Sequence, residues 1–151
     1  MKKFYRGIIG FGDFLKHFLL LAMRAYWGYS FYKAGLGKLG NVDPVSEFFG
    51  SLQIPFPLLN VYIVGGIECS CGLLLLLGFA ARLAAIPLAF ITIAALFTAH
   101  LSATLGMFEN PQRFISQLPF MYLLASLTVL CFGPGAFSVD ALIKRFILRE
   151  D

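Results

Sequence analysis

One carboxylate stands inside a long apolar segment of this 151-residue sequence. Glu68 interrupts the run LLNVYIVGGIECSCGLLLLLGF, which occupies residues 58–79. A helix of about 20 apolar residues is long enough to cross a hydrocarbon core of about 30 Å. A charged side chain at that depth costs about 3 kcal/mol or more unless it is paired or neutralised, so it marks a functional site by default. We therefore expect Glu68 to have a partner elsewhere in the chain.

Arg24 is the simplest partner for Glu68. At a helical rise of about 1.5 Å per residue, Arg24 lies about 13–14 Å and Glu68 about 15 Å from the same end of their predicted helices. Consecutive antiparallel helices are usually neighbours, so the matching depths predict an Arg24–Glu68 ion pair. Such a pair could bind a ligand or could be purely structural, and the sequence leaves both readings open.

Two further polar residues belong to the same predicted interior. His100 lies about 24 Å from that end of its helix. A packed, hydrogen-bonded histidine is the commoner role there, and a proton carrier or hydrogen-bond donor to a bound molecule is the alternative. Lys38 lies near the outer interface, where its side chain could also extend to solvent. The predicted ligand-binding or buried polar cluster thus consists of Arg24, Glu68, His100 and Lys38, and no catalytic residue is assigned.

Metal, haem and thiol chemistry are not expected. The two histidines, His17 and His100, differ in depth by about 20 Å, which is too far for one haem within a protomer. No group of residues has the spacing of metal ligands. Cys69 and Cys71 are two residues apart on a helix and therefore point to nearly opposite sides. We expect these cysteines to be small packing residues rather than a redox pair.

The composition indicates that these residues lie within a membrane bundle. The sequence is 59% hydrophobic and 13% charged, whereas a soluble domain has about 25% charged residues. We predict a single all-α membrane domain over residues 1–151, built as a four-transmembrane-helix bundle. The predicted spans are about residues 15–36, 58–79, 83–105 and 111–132.

Capping residues and prolines define the predicted ends of these spans. Asp13 is expected to cap the first span, and Pro87 is expected in the first turn of the third. Asn110 followed by Pro111 is a recognised helix start, so the fourth span should begin there. Pro119 inside that span predicts a kink.

The basic residues orient this bundle. Eight of the twelve Lys and Arg residues fall on the side that holds both termini and the loop between spans two and three. Three fall on the other side, and Arg24 lies within a span. The side richer in Lys and Arg is cytoplasmic, so both termini are predicted to be cytoplasmic. The same rule accounts for the net charge of +4, and no nucleic-acid partner is expected.

Two short segments have the pattern of helices with one apolar face. After the first span, Asp43 is a predicted cap, and the apolar positions that follow it recur at helical spacing. At the C-terminus a similar apolar face is surrounded by basic residues, which suits an anionic cytoplasmic leaflet. Each could lie at the membrane interface or dock on protein, and the sequence does not separate these readings. The first face comprises Val45, Phe48, Phe49 and Leu52, and the second comprises Val139, Leu142, Ile143, Phe146 and Ile147, with Lys144, Arg145 and Arg149 around it.

The stretch from residue 24 to residue 100 resembles the DoxX family of small membrane proteins. The resemblance lies in the order and spacing of several short motifs along nearly the whole chain. They are Arg24 with Phe31, Ala34-Gly35 and Lys38-Leu39; Phe48 with Pro55; Gly65-Gly66-Ile67-Glu68 before Gly72-Leu73-Leu74-Leu75-Leu76-Leu77-Gly78; Ala81-Arg82-Leu83-Ala84-Ala85; His100; and Gly133-Pro134-Gly135.

The resemblance implies a multi-pass protein of the bacterial inner membrane with four helices. It also implies that the chain could be a subunit of a membrane oxidoreductase or redox-stress complex that passes electrons to quinone. In that reading the interior binds a quinone or a similar small amphiphile, and a redox partner protein carries the electron-donating cofactor. The alternative is a small-molecule or lipid carrier, or a membrane adaptor, with a purely structural Arg24–Glu68 pair. A homo-oligomer is compatible with either reading.

Overall fold

The computed structural model describes residues 2–146, and for residues 2–9 and 13 it describes the backbone alone. This part of the chain consists of helices and short connections, without a strand, as the sequence predicts. The helices are α1 (Lys2–Gly40), α2 (Val42–Ser51), α3 (Pro57–Leu77), α4 (Ala81–Phe97), α5 (Leu101–Leu105), α6 (Pro111–Ile115), α7 (Leu118–Phe132) and α8 (Val139–Phe146).

The four longer helices α1, α3, α4 and α7 pack around a shared core. Helix α1 packs on α3, α3 on α4, α4 on α7, and α7 returns to contact α1. Phe31 from α1, Leu75 from α3, Leu88 from α4 and Val129 from α7 are almost fully buried at the centre. Each helix therefore contributes at least one large apolar side chain to the same interior.

Helices α1 and α3 approach unusually closely because glycines line their contact. A Cβ atom at Gly35 would lie 2.6 Å from the backbone nitrogen of Cys69, and one at Gly72 would lie 2.7 Å from that of Tyr32. Real Cβ atoms do not come so near to backbone atoms, so a larger residue would force the helices apart. Small residues permit such approaches between membrane helices. The glycines at these positions therefore form the packing surface between α1 and α3.

Helix α3 is, among the described residues, the one helix long and apolar enough to cross a membrane. It nearly coincides with the predicted span at residues 58–79. Helices α4 and α7 are apolar but shorter, with 17 and 15 residues. They are shorter because both predicted spans in the second half of the chain are interrupted, the third after Phe97 and the fourth at residues 116–117. The four-span topology stays a prediction.

Several predicted helix ends differ in the structure. Helix α1 continues to the N-terminal side of position 13, so Asp13 does not begin a helix, and its side chain lies outside the described residues. Asp43 falls in the first turn of α2, and Asn41 occupies the position before that helix. Pro87 lies inside α4 rather than in its first turn. Pro119 does not kink a helix but lies at the start of α7, where proline is well accommodated.

The predicted start at Asn110 is confirmed. The side-chain oxygen of Asn110 accepts a hydrogen bond from the backbone N–H of Arg113 at 3.3 Å, and Pro111 is the first residue of α6. Of the two amphipathic segments, α2 docks on α3, whereas Leu142 and Phe146 of α8 are exposed. Ile147 and Arg149 of the second segment lie outside the described residues.

Candidate functional site

The register between α1 and α3 determines which polar residues meet. Gly28 faces Gly72 and Leu76, and Gly35 faces Gly65 and Cys69. The helices are therefore antiparallel, and each step along α1 toward its C-terminus is matched by a step along α3 toward its N-terminus.

This register pairs Glu68 with Lys38. The Lys38 Nζ atom lies 2.5 Å from the Glu68 Oε2 atom, and the two side chains are 25% and 11% exposed. The predicted Arg24–Glu68 pair is wrong, because the assumed span ends misalign the helices by about ten residues, or about 15 Å. The helices are aligned by their glycine contacts rather than by their ends.

Lys38 and Glu68 lie on the wall of a cavity of about 730 Å³. Helix α2 contributes Phe48, Phe49 and Leu52 to this cavity, and most of its remaining wall is apolar. Sites for small organic ligands have volumes of about 300–1,000 Å³ and combine an apolar wall with a few polar groups. Most other apolar residues of the wall come from α3, α4 and α7, among them Ile63, Val64, Ile67, Phe90, Ile91, Ala94, Leu118 and Pro119.

His100 lines the same cavity because the third predicted span is not continuous. Helix α4 ends at Phe97, and His100 occupies the position before the short helix α5. The Thr104 hydroxyl donates to the carbonyl groups of Leu96, at 2.8 Å, and His100, at 3.0 Å, which holds the two helices together. Among the described residues no hydrogen-bond partner reaches the His100 imidazole, so its nitrogens remain available to a ligand.

Tyr122 is a cavity residue that sequence reasoning missed. It lies on α7, and its ring packs on Phe31 with centroids 4.3 Å apart and on Trp27 with centroids 5.2 Å apart. The available signal was a polar side chain in an apolar helix, one turn after Leu118 and Pro119. Asn60, Ser116 and Gln117 also line the cavity. Their contribution depends on the break between α6 and α7 and on the packing of α2, neither of which was expected.

Arg24 lies at the other end of the bundle and does not line the cavity. Its residue exposure is 1%, and its Nη2 donates to the carbonyl oxygen of Phe137. The Nε and Nη1 atoms have no hydrogen-bond partner among the described residues. Gly78, with φ of +70°, ends α3 beside the guanidinium, and a Cβ atom at that position would overlap Nη1. Arg24 therefore connects α1 to the segment that leads into α8.

Asp140 completes this second polar cluster. Its two carboxylate oxygens accept hydrogen bonds from the backbone N–H groups of Ala80, at 2.7 Å, and Ala81, at 3.1 Å. These are unsatisfied donors at the start of α4, so Asp140 acts as a cap supplied by a distant part of the chain. Its charge also lies close enough to Arg24 to favour the guanidinium electrostatically. The cluster holds α8 against the turn between α3 and α4, which is a structural role.

The cysteines do not line the cavity and take no part in the Lys38–Glu68 ion pair or the Arg24–Asp140 cluster. The Cys69 thiol packs in the seam between α1 and α3, with its Sγ atom 3.7 Å from the carbonyl oxygen of Tyr32. Cys71 is half-buried and Cys131 is exposed. In the part of the chain that the structure describes, no three His, Cys, Asp or Glu residues are grouped as metal ligands.

The described residues thus form an all-helical bundle in which an ion pair between α1 and α3 lies beside an apolar cavity. The sequence profile of the DoxX family matches residues 19–101, which is more than half of the chain. The chain therefore belongs to the DoxX family, whose members are membrane proteins. The resemblance seen in the short motifs is confirmed.

Two curated relatives match most of the chain. A protein of Haemophilus influenzae described as "Uncharacterized protein" is 26% identical over 130 residues, which is 83% of each chain. A protein of Bacillus subtilis (strain 168) named "Putative oxidoreductase CatD" is 26% identical over 125 residues, which is 83% of this chain and 87% of that protein. No solved structure matches the chain significantly.

Proposed function

We propose that this DoxX protein is a multi-pass protein of the bacterial inner membrane that binds a quinone or a similar small amphiphile in the Lys38–Glu68 cavity. It acts as a membrane subunit of an oxidoreductase or redox-stress complex. In this proposal one domain contains four spans, formed by α1, α3, α4 with α5, and α6 with α7. Both termini are cytoplasmic, so the cavity lies toward the outer face.

The outward faces of the helices support the membrane part of the proposal. Ile86 on α4, Leu105 on α5 and Leu124 on α7 are large apolar residues exposed on the bundle surface. Contiguous exposed apolar surface is uncommon on soluble monomers and is expected where lipid covers a helix. The excess of Lys and Arg on the side of the termini supports the orientation.

The observation that carries the ligand proposal is the ion pair in the wall of an apolar cavity. Lys38 supplies N–H donors, His100 can donate or accept, and Glu68 can hold a proton. A quinone has two carbonyl oxygens that accept hydrogen bonds and an apolar ring and tail that suit the rest of the wall. When bound, it would supply the chemistry of accepting two electrons and two protons. The chain's own residues would bind the carbonyl groups, orient the ring and exclude water.

The name of the Bacillus subtilis relative supports the redox part of the proposal. That protein is named as an oxidoreductase, and the alignment extends over 83% of this chain. The residues around the cavity offer ligand binding and proton exchange. The proposal therefore includes a partner protein that carries the electron-donating cofactor.

The proposal is tested by quinone binding to the purified protein in mild detergent. We expect co-purified quinone in the lipid extract, and a concentration-dependent rise in melting temperature with added ubiquinone-1, a short-chain quinone. Lys38→Met and His100→Leu should each weaken that binding about ten-fold, because each removes a hydrogen bond to a buried acceptor. Lys33→Met removes an exposed Lys from the same helix and should leave binding unchanged.

Two results would contradict the proposal. One is a preparation without bound quinone whose melting temperature does not respond to ubiquinone-1. The other is a response that Lys38→Met and Lys33→Met affect equally, since the ligand would then bind elsewhere. Flux of a labelled amphiphile through proteoliposomes that depends on Glu68 would instead indicate a carrier.

A further inference from the structure

A second concave surface lies at the opposite end of the bundle from the cavity. It is a groove of about 380 Å³ between the start of α4, the end of α7 and the beginning of α8. Arg82 and Lys144 line it together with Gly133, Gly135 and Ser138. The groove is separate from the Lys38–Glu68 cavity and shares no lining residue with it.

The cations of this groove are available for a ligand. Within the described residues no carboxylate lies within 4.0 Å of the Arg82 or Lys144 nitrogens. Asp140, the acidic residue of the lining, already accepts hydrogen bonds from two backbone N–H groups of α4. The charge offered to a ligand is therefore positive.

The Arg82 side chain is held in place without being neutralised. Its Nη2 donates to the carbonyl oxygen of Cys131 at 3.3 Å. A Cβ atom at Gly133 would lie 3.3 Å from the same nitrogen, so the guanidinium packs against the glycine backbone. Arginine has five N–H donors, and most of those on Arg82 remain free for an anion.

Large apolar side chains flank these cations. Leu83 is 70% exposed and Phe132 is 74% exposed, and both line the groove. Leu142 and Phe146 are exposed on the adjacent helix α8. A small inorganic anion would contact the cations alone, whereas a phospholipid would place its phosphate on the cations and its acyl chains on these apolar residues. Basic pockets at the cytoplasmic side of membrane helices bind anionic headgroups in this way.

We propose that this groove binds one anionic phospholipid. The phosphate lies between Arg82 and Lys144, and the acyl chains lie along Leu83 and Phe132. The bound lipid fixes α8 to the ends of α4 and α7. This proposal rests on the membrane placement proposed above, but it concerns a different surface from the quinone site, so quinone binding and lipid binding can fail independently.

The test measures lipid retained by the full-length protein in nanodiscs. Phosphatidylglycerol is mixed into phosphatidylcholine, and bound lipid is counted by native mass spectrometry after transfer to mild detergent. We expect selective retention of phosphatidylglycerol, weakened about five-fold by Arg82→Gln or Lys144→Gln and about thirty-fold by the double variant. The control is Lys33→Gln with Arg113→Gln, which removes the same charge from exposed residues outside the groove. It should retain lipid like the unaltered protein.

A second measurement needs no variant. Phosphatidylglycerol should raise the melting temperature of the unaltered protein in detergent, whereas phosphatidylcholine and sodium phosphate should not. Equal effects of the two lipids would overturn the proposal, as would equal loss of lipid in the control and the groove variants. An equal effect of sodium phosphate would show a site for the free anion and would overturn the lipid assignment.

Discussion

Lys38 and Glu68, 30 residues apart in the chain, form an ion pair in which the Nζ and Oε2 atoms are 2.5 Å apart. The pair joins the C-terminal part of α1 to the middle of α3, beside the cavity. A buried charge whose partner is removed is expensive, so this pair constrains both the stability of the bundle and the chemistry of its interior.

Double-mutant cycles should separate the observed ion pair from the one expected from the sequence. Lys38→Met should cost about 3 kcal/mol of unfolding free energy because it leaves Glu68 buried without a partner. Glu68→Gln should cost about 1 kcal/mol, since Lys38 is more exposed and can reach water. The Lys38/Glu68 pair should show a coupling energy of about 1–3 kcal/mol. Unfolding by SDS in mixed micelles provides the measurement.

The control cycle uses Arg24→Gln with Glu68→Gln. These residues do not share a contact, so their effects should add within about 0.5 kcal/mol. A coupling for Arg24/Glu68 as large as that for Lys38/Glu68 would contradict the register described above.

Glycine substitutions should reveal how close α1 and α3 are. Gly35→Ala should lower the unfolding free energy by about 1–3 kcal/mol, because its methyl group would meet the backbone of α3 at 2.6 Å. Gly37→Ala is the matched control on the same helix, since no atom lies within 4 Å of its added Cβ. It should be neutral or raise stability by up to about 1 kcal/mol through helix propensity. Thermal unfolding in detergent provides the measurement. Equal melting temperatures for the two variants would contradict the close contact between α1 and α3.

The Arg24 and Asp140 cluster should control the attachment of α8. Asp140→Asn should cost about 1 kcal/mol because it weakens the cap of α4. It should also speed amide hydrogen exchange at Ala80 and Ala81, because their N–H groups donate hydrogen bonds to the Asp140 carboxylate. Arg24→Met should speed exchange in residues 135–142 by releasing the carbonyl of Phe137. Unchanged exchange in both segments, with the fold intact, would refute this role.

Cysteine labelling should decide the proposed orientation. In a variant with Cys69, Cys71 and Cys131 changed to Ala, Ala136→Cys reports the side of the α7–α8 connection. Glu109→Cys reports the opposite side, and both positions are exposed. A membrane-impermeant maleimide added to intact spheroplasts should label Glu109→Cys and spare Ala136→Cys. The reverse pattern would mean that the termini face outward.

The sequence by itself determined the helical class, the family and the presence of a charged interior. These properties are local, because helix propensity, hydropathy and motif spacing are read within one segment at a time. For that reason the second predicted span, residues 58–79, matches α3 to within two residues at each end.

The tertiary structure decided which charges meet. Pairing across two helices depends on their relative register, and here the backbone contacts at Gly28, Gly35, Gly65 and Gly72 set it. Depths counted from assumed helix ends cannot supply that register, since α1 extends beyond both limits of the predicted span. This is why Glu68 was recognised from sequence whereas its partner was not.

The cavity also required the tertiary structure. His100 reaches it because the helix breaks after Phe97, and Tyr122 reaches it because α7 begins anew at Leu118. No proline or glycine marks the break after Phe97, and Pro119 predicts a kink near the second break rather than the start of a new helix. The sequence supplies the polar residues of the site. Whether these residues lie close together depends on helix breaks and helix contacts, which are determined by tertiary packing.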